Sequence, residues 1–230
     1  MEIKGITLPS RGLVYNVPLS GISVKTFRGR DEKLLSEMST QNFEKKFAAV
    51  MRGLITGIDP DQLTLGDRGY LMCWQAINSY TPRFPIHFHC GACETSLSVV
   101  ADLSKLPIVE LPDGFKEPYM LEMVDGTKLG VKLLRVADEI SAADVEANAG
   151  PNWLYRFALS IVDERTLPDR LTWMEDMPAK DLARIRAFHE KFVHGPRMET
   201  EYKCTKCEYR GQVKVPMSLA LFFPTDEALG

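Results

Sequence analysis

The sequence predicts an α+β chain in which helices are mixed with short antiparallel strands and the first and last parts are tied together by cysteines. Three observations carry this: two Cys-x-x-Cys pairs far apart, each heading an extended β-branched segment; amphipathic helical stripes between them; and an Asp-Gly turn between two apolar runs. With 230 residues and 45% hydrophobic content, the chain can build a substantial core without disulfides.

The elements follow in order. Ile3 to Leu8 reads as a strand, broken at "PSRG", and "ISVKTF" as a second. "RDEKLLSEM" is a short helix with acids in its first turn. Phe43, Phe47, Val50, Met51, Leu54 and Ile55 then form one apolar helical stripe. After the loop "DPDQLTL" a helix runs from about Asp67 to Asn78, with Tyr70, Cys73, Trp74 and Ile77 on one face. Cys73, the odd cysteine of five, is a small buried hydrophobe in this reading. Two prolines keep "TPRFPIHFHC" extended. "LPIVELPDGFKEP" is an irregular bridge, and Asp125-Gly126 predicts a hairpin with a type I′ turn. Three helices follow, at about 137–148, 152–162 and 179–193, before strands resume at "METEYKC". The pattern divides the chain into 1–106 (strands, helices and a first cysteine knuckle), 107–196 (an inserted hairpin and helical region) and 197–230 (a second knuckle and C-terminal tail).

Cys90 and Cys93 supply two thiols, and a closed tetrahedral zinc site needs four. Cys204 and Cys207 complete the set. In register, Glu94 matches Glu208 directly after each second cysteine, and Val99 matches Val213 nine positions after each first one. Two such knuckles facing each other make a split four-cysteine zinc ribbon joining the N- and C-terminal parts. The separation of Cys93 from Cys204, 111 positions, is long for this architecture. Closing such a loop costs about 4–5 kcal/mol, whereas structural zinc contributes roughly 10–16 kcal/mol. The ion wins. Zn²⁺ is the expected metal, with an iron–sulfur cluster as the alternative four-thiolate group. His87 and His89 point to one side of their strand, away from Cys90, and read as neighbours of the site rather than ligands.

No catalytic centre emerges. Four thiolates leave no open coordination position for an enzyme. His189 and His194 in "HEKFVH" are one position too far apart for a zincin helix pair, and neither a G-x-S-x-G elbow nor a phosphate-binding glycine loop is present. With 28 Lys and Arg against 31 Asp and Glu, the net charge of −3 argues against nucleic acid as the main partner. The start lacks a secretory signal pattern, and "WLYRFALSIV" is too short and too charged for a membrane span. A reducing, soluble compartment is expected, where paired cysteines serve metals better than disulfides.

The segments "ITLPSRGLVY", "RDEKLLSEM", "LTLGDRGYLM" with "INSYTPRF", "VVADLSKL", "ELPDGFKEPYMLEMVDG", "MPAKDLARIRAF" and "VPMSLALFFP", in this order, resemble the tailed-bacteriophage family of baseplate hub and hub-assembly proteins. The resemblance covers most of the chain. It implies a non-enzymatic part in forming the baseplate of a contractile or related tail. The implied partners are other baseplate and tail proteins, with self-association open, in the virion tail or in the host cytoplasm during assembly. The runner-up is a nucleic-acid-associated zinc-ribbon module, for which Lys203, Lys206, Arg210 and Lys214 speak, although Glu199, Glu201 and Glu208 lie among them. A metal-dependent hydrolase is a third reading, which would require an exchangeable water on the ion. Leu221, Phe222 and Phe223 near the end of "LALFFPTDEALG" read either as a final element packed on the core or as an exposed docking segment for a partner.

Overall fold

The computed structural model describes residues 1–39, 42–150 and 152–224. Strand β1 (Glu2–Lys4) pairs antiparallel with β2 (Ser23–Lys25), and β2 pairs with β3 (Ile55–Thr56). β1 is shorter than the sequence suggests: past Lys4 the chain turns irregular, and Ile6 and Leu8 enter the core as loop residues. Helix α1 (Gly29–Ser36) precedes α2 (Phe43–Leu54), whose stripe Phe47, Val50, Met51 and Leu54 is buried as its spacing dictates. Ile55 shares that burial but belongs to β3.

Helix α3 (Leu65–Ser79) starts at Thr64, whose side chain accepts from the Asp67 N–H. Its buried surface is wider than one stripe. Leu71, Met72, Cys73 and Ala76 are all buried, while Tyr70, Trp74 and Ile77 are only partly so, because the helix runs through the middle of the first core. Gln75 is buried among them with its amide donating to the Lys25 carbonyl at 2.7 Å.

Strands β4 (Arg83–His89) and β5 (Ser96–Asp102) form a hairpin in continuous register from Arg83↔Asp102 to His89↔Ser96. After the short β6 (Ile108–Val109), β7 (Tyr119–Glu122) pairs with β8 (Lys128–Val131) as the Asp-Gly signal predicts. The turn is not type I′, which needs two residues at positive φ. Gly126 alone has φ of 83°, and its N–H donates to the Met123 carbonyl at 3.0 Å, so the loop is longer and needs one left-handed residue.

Helices α4 (Val136–Ala149) and α5 (Trp153–Ser160) match the expected pair, although Ile161 leaves the second as part of β9 (Ile161–Val162), which joins β8. Trp153 is largely exposed. Between β9 and α7 (Ala179–Lys191) stands α6 (Leu167–Glu175), absent from the sequence reading. Thr166 caps it by accepting from the Asp169 N–H, and Pro168 in its first turn is the helix-starting signal that was there to be read. The chain returns through β10 (Gly195–Pro196), which pairs with β6, to the hairpin of β11 (Glu199–Lys203) and β12 (Arg210–Lys214). No helix among the described residues is long and apolar enough to cross a membrane.

Two cores result. The first gathers residues from Ile6 through Leu106 with Val136, and with Val215, Leu221 and Phe222 from the end of the chain; the second gathers most of the other buried apolar residues from Leu111 through Phe192. They meet where α3 begins. Gly66 and Gly195 allow that crossing: a Cβ on Gly66 would stand 2.4 Å from the His194 carbonyl oxygen, and one on Gly195 2.6 Å from that of Gly66.

Candidate metal centre

Each cysteine pair sits at the tip of a hairpin, and the two tips are built alike. In the first, the Glu94 N–H donates to the Cys90 carbonyl and the Cys90 N–H to the Thr95 carbonyl, both at 2.9 Å. In the second, the Glu208 N–H donates to the Cys204 carbonyl at 3.1 Å and the Cys204 N–H to the Tyr209 carbonyl at 2.8 Å. Glu94 and Glu208 both take left-handed backbone, φ of 56° and 58°, which turns the chain so that each second sulfur converges with the first. The glutamates that coincide in the sequence thus occupy one structural position, repeated.

The tips face each other. Cys90 Sγ lies 3.8 Å from Cys207 Sγ, Cys93 Sγ lies 3.7 Å from Cys204 Sγ, and all four sulfurs fall within 4.8 Å of one another. A disulfide would bring a pair to about 2.0 Å, and all five cysteines are free. Tetrahedral bonds of about 2.3 Å to one ion place sulfurs about 3.8 Å apart, so the spacing fits a single four-coordinate metal ion. The four cysteines join the N- and C-terminal parts of the chain at this point.

Electrostatics lead to the same conclusion. Backbone N–H groups point at the sulfurs, Ala92 at Cys90 (3.5 Å) and Lys206 at Cys204 (3.4 Å). The Ala92 N–H lowers the Cys90 thiol, and the hydroxyl and N–H of Thr95 bring Cys93 down to about 6. Cys207 goes the other way, up to about 12: the Tyr209 N–H pulls it down, but the sulfurs of Cys93, Cys204 and Cys90 together with desolvation outweigh it. Four sulfurs this close cannot all carry charge unless a cation shares it. Cys90 and Cys204 are buried and Cys207 is exposed, so the centre lies at the surface end of the hairpins.

His87 and His89 are exposed on the outer side of β4, opposite Cys90 as the alternation requires, and stand outside the ligand set. Cys73 is 4% exposed with its thiol pushed up to about 12 by burial, the state of an inert core residue. His189 and His194 line one open pocket but bond to different partners, the Ser160 and Thr64 hydroxyls, and neither belongs to the cysteine cluster. Of the two readings of the tail, a final element packed on the core holds for Leu221 and Phe222, and the docking reading does not. Leu221 is 3% and Phe222 0% exposed, and Phe222 stacks on Phe47 at 5.3 Å and meets Phe27 edge-on at 5.2 Å. A side chain enclosed by two other rings is core, and only Phe223, 42% exposed, remains at the surface. Residues 225–230 of the same segment lie outside the described residues.

The sequence reading missed Phe88 and Tyr202, whose rings meet edge-on at 4.6 Å between the two hairpins. Their signal was positional: each stands two residues before the first cysteine of its knuckle, on the same side of its strand as that cysteine.

These features define a class, a two-core α+β protein whose beginning and end meet in a four-cysteine centre. The particular family follows from comparison: the family model described as T4 bacteriophage base plate protein matches residues 10–224, and the chain belongs to that family. No curated protein and no solved structure gives a significant match.

Proposed function

We propose that this chain is a non-enzymatic component of the tail baseplate, acting in formation or assembly of its hub, and that one structural zinc ion holds its shape. The match to a base plate protein family along nearly the whole chain carries this reading. The four-sulfur spacing supports the metal part: one ion bound by four thiolates has no vacant position for a water or substrate, so it acts as a cross-link rather than a Lewis acid. Sulfurs within 4.8 Å of each other favour one ion over a wider cluster of several irons, and zinc suits a shell with no redox task.

The partners in this reading are other baseplate and tail proteins, met in the virion tail or in the host cytoplasm during assembly. Co-expression with the baseplate subunits of the same phage tests it. Co-elution with at least one of them is expected, together with one zinc per chain by elemental analysis. A chain that stays separate from all of them, with phage lacking its gene still forming complete baseplates, would refute the function; a chain purified with no bound metal would refute the zinc.

A further inference from the structure

The two knuckles are joined by more than their sulfurs. Phe88 and Tyr202 occupy equivalent positions in β4 and β11, and with Cys90 and Cys204 they form a small cluster, ringed by Cys93, Leu97, Val99 and Val213, that borders the first core through Phe88 and Val213. The pair is asymmetric because only Tyr202 carries a hydroxyl. That oxygen accepts the Gly91 N–H at 3.3 Å, so a residue from the second hairpin holds the backbone of the first knuckle between its two ligands. Across β12, Gly211 pairs with Tyr202, and a Cβ there would stand 3.0 Å from the tyrosine ring, so the absent side chain gives the ring its bed.

Bringing together knuckles 111 residues apart costs chain entropy that the ion must otherwise offset alone. A contact that docks the hairpins first lowers that cost and leaves the sulfurs near their final spacing. We propose that Tyr202 is the positioning residue of the metal centre: its ring clasps Phe88 and its hydroxyl fixes the first knuckle, so that the four sulfurs are preorganised for one ion.

This rests on the reading that the four cysteines hold zinc. The test uses the full-length protein, Zn²⁺ affinity by competition against a chromophoric chelator, and the absorption spectrum of the Co²⁺-substituted form. Tyr202→Phe keeps the ring and removes the hydroxyl; it should weaken Zn²⁺ binding about tenfold and shift the Co²⁺ thiolate bands, with the unfolding midpoint of the metal-free protein little changed. Tyr202→Leu removes the clasp as well and should weaken binding on the order of a hundredfold. Tyr209→Phe, on the exposed neighbouring ring, should bind as the wild type does. Should Tyr202→Leu fail to fold, Tyr202→Phe decides. Wild-type affinity and an unaltered Co²⁺ spectrum in Tyr202→Phe overturn the proposal while leaving the metal site standing. A wild-type protein that takes up neither Zn²⁺ nor Co²⁺ overturns both.

Discussion

The Tyr15 hydroxyl donates to Asp67 Oδ2 across 2.5 Å, joining segments 52 positions apart. Asp67 is fully buried at the start of α3, and its other oxygen accepts the Ser10 N–H at 2.8 Å. Burial, with the nearby carboxylate, raises the Tyr15 hydroxyl above its ordinary value and keeps it a donor. The same oxygen accepts the Thr64 N–H at 2.9 Å, and Thr64 in turn meets His194 Nε2 at 2.6 Å. The motifs "PSRGLVY" and "LTLGD" are therefore two sides of one polar clasp at the junction of the cores. Tyr15→Phe leaves a buried carboxylate one bond short, and should lower stability by about 1.5–3 kcal/mol in urea unfolding. A loss below about 0.5 kcal/mol would show that the clasp is not holding the junction.

The metal centre makes its own prediction. Cys204→Ser should take the metal content from one ion per chain to none and increase proteolysis at the C-terminal hairpin, because the cross-link that closes the long loop is gone. Retention of one tightly held ion in that variant would count against the site.

The burial of Phe222 separates it from its neighbour. Phe222→Ala removes a ring packed against Phe27 and Phe47 and should cost about 3–5 kcal/mol. Phe223→Ala should stay within about 0.5 kcal/mol of the wild type in the isolated protein. Equal losses in thermal unfolding would contradict the assignment of Phe222 to the core.

His189 predicts an acid dependence. Burial, together with the nearby Lys132 charge, lowers it from 6.5 to about 4, and its Nε2–H donates to the Ser160 hydroxyl oxygen at 3.1 Å. The unfolded chain therefore takes up the proton first. Stability from this residue is complete above about pH 6.5 and declines as the pH falls towards about 4, by about 3 kcal/mol at most. His189→Gln should flatten that part of the stability curve relative to wild type, with the metal centre's own pH dependence common to both proteins. Parallel curves would exclude His189 as the source.

Much of this was legible before the fold was known, and the exceptions have physical causes. The stripe of α2 followed from periodicity, because it buries one face, and the strands beside the cysteine pairs followed from prolines that exclude a helix and from β-branched residues. The helix α3 defied its one-face reading because it is enclosed on several sides, so Leu71 and Met72 are more buried than Tyr70 and Trp74. The helix α6 went unread although Thr166 and Pro168 mark its start. Leu221, Phe222 and Phe223 are equally apolar neighbours, and nothing local says which of them meets Phe47.

By itself the chain's order of residues determined which four cysteines cluster, since two knuckles with cysteines and glutamates in matching places can fold locally the same way and present the same sulfurs. What only the tertiary structure decided is which side chains secure that meeting: Tyr202 on Gly91, Tyr15 on Asp67, and Phe222 between two rings. Local turns repeat because backbone geometry is short-ranged. Partners separated by dozens of residues are chosen by packing, where shape and unsatisfied polar groups select one neighbour among many of similar composition.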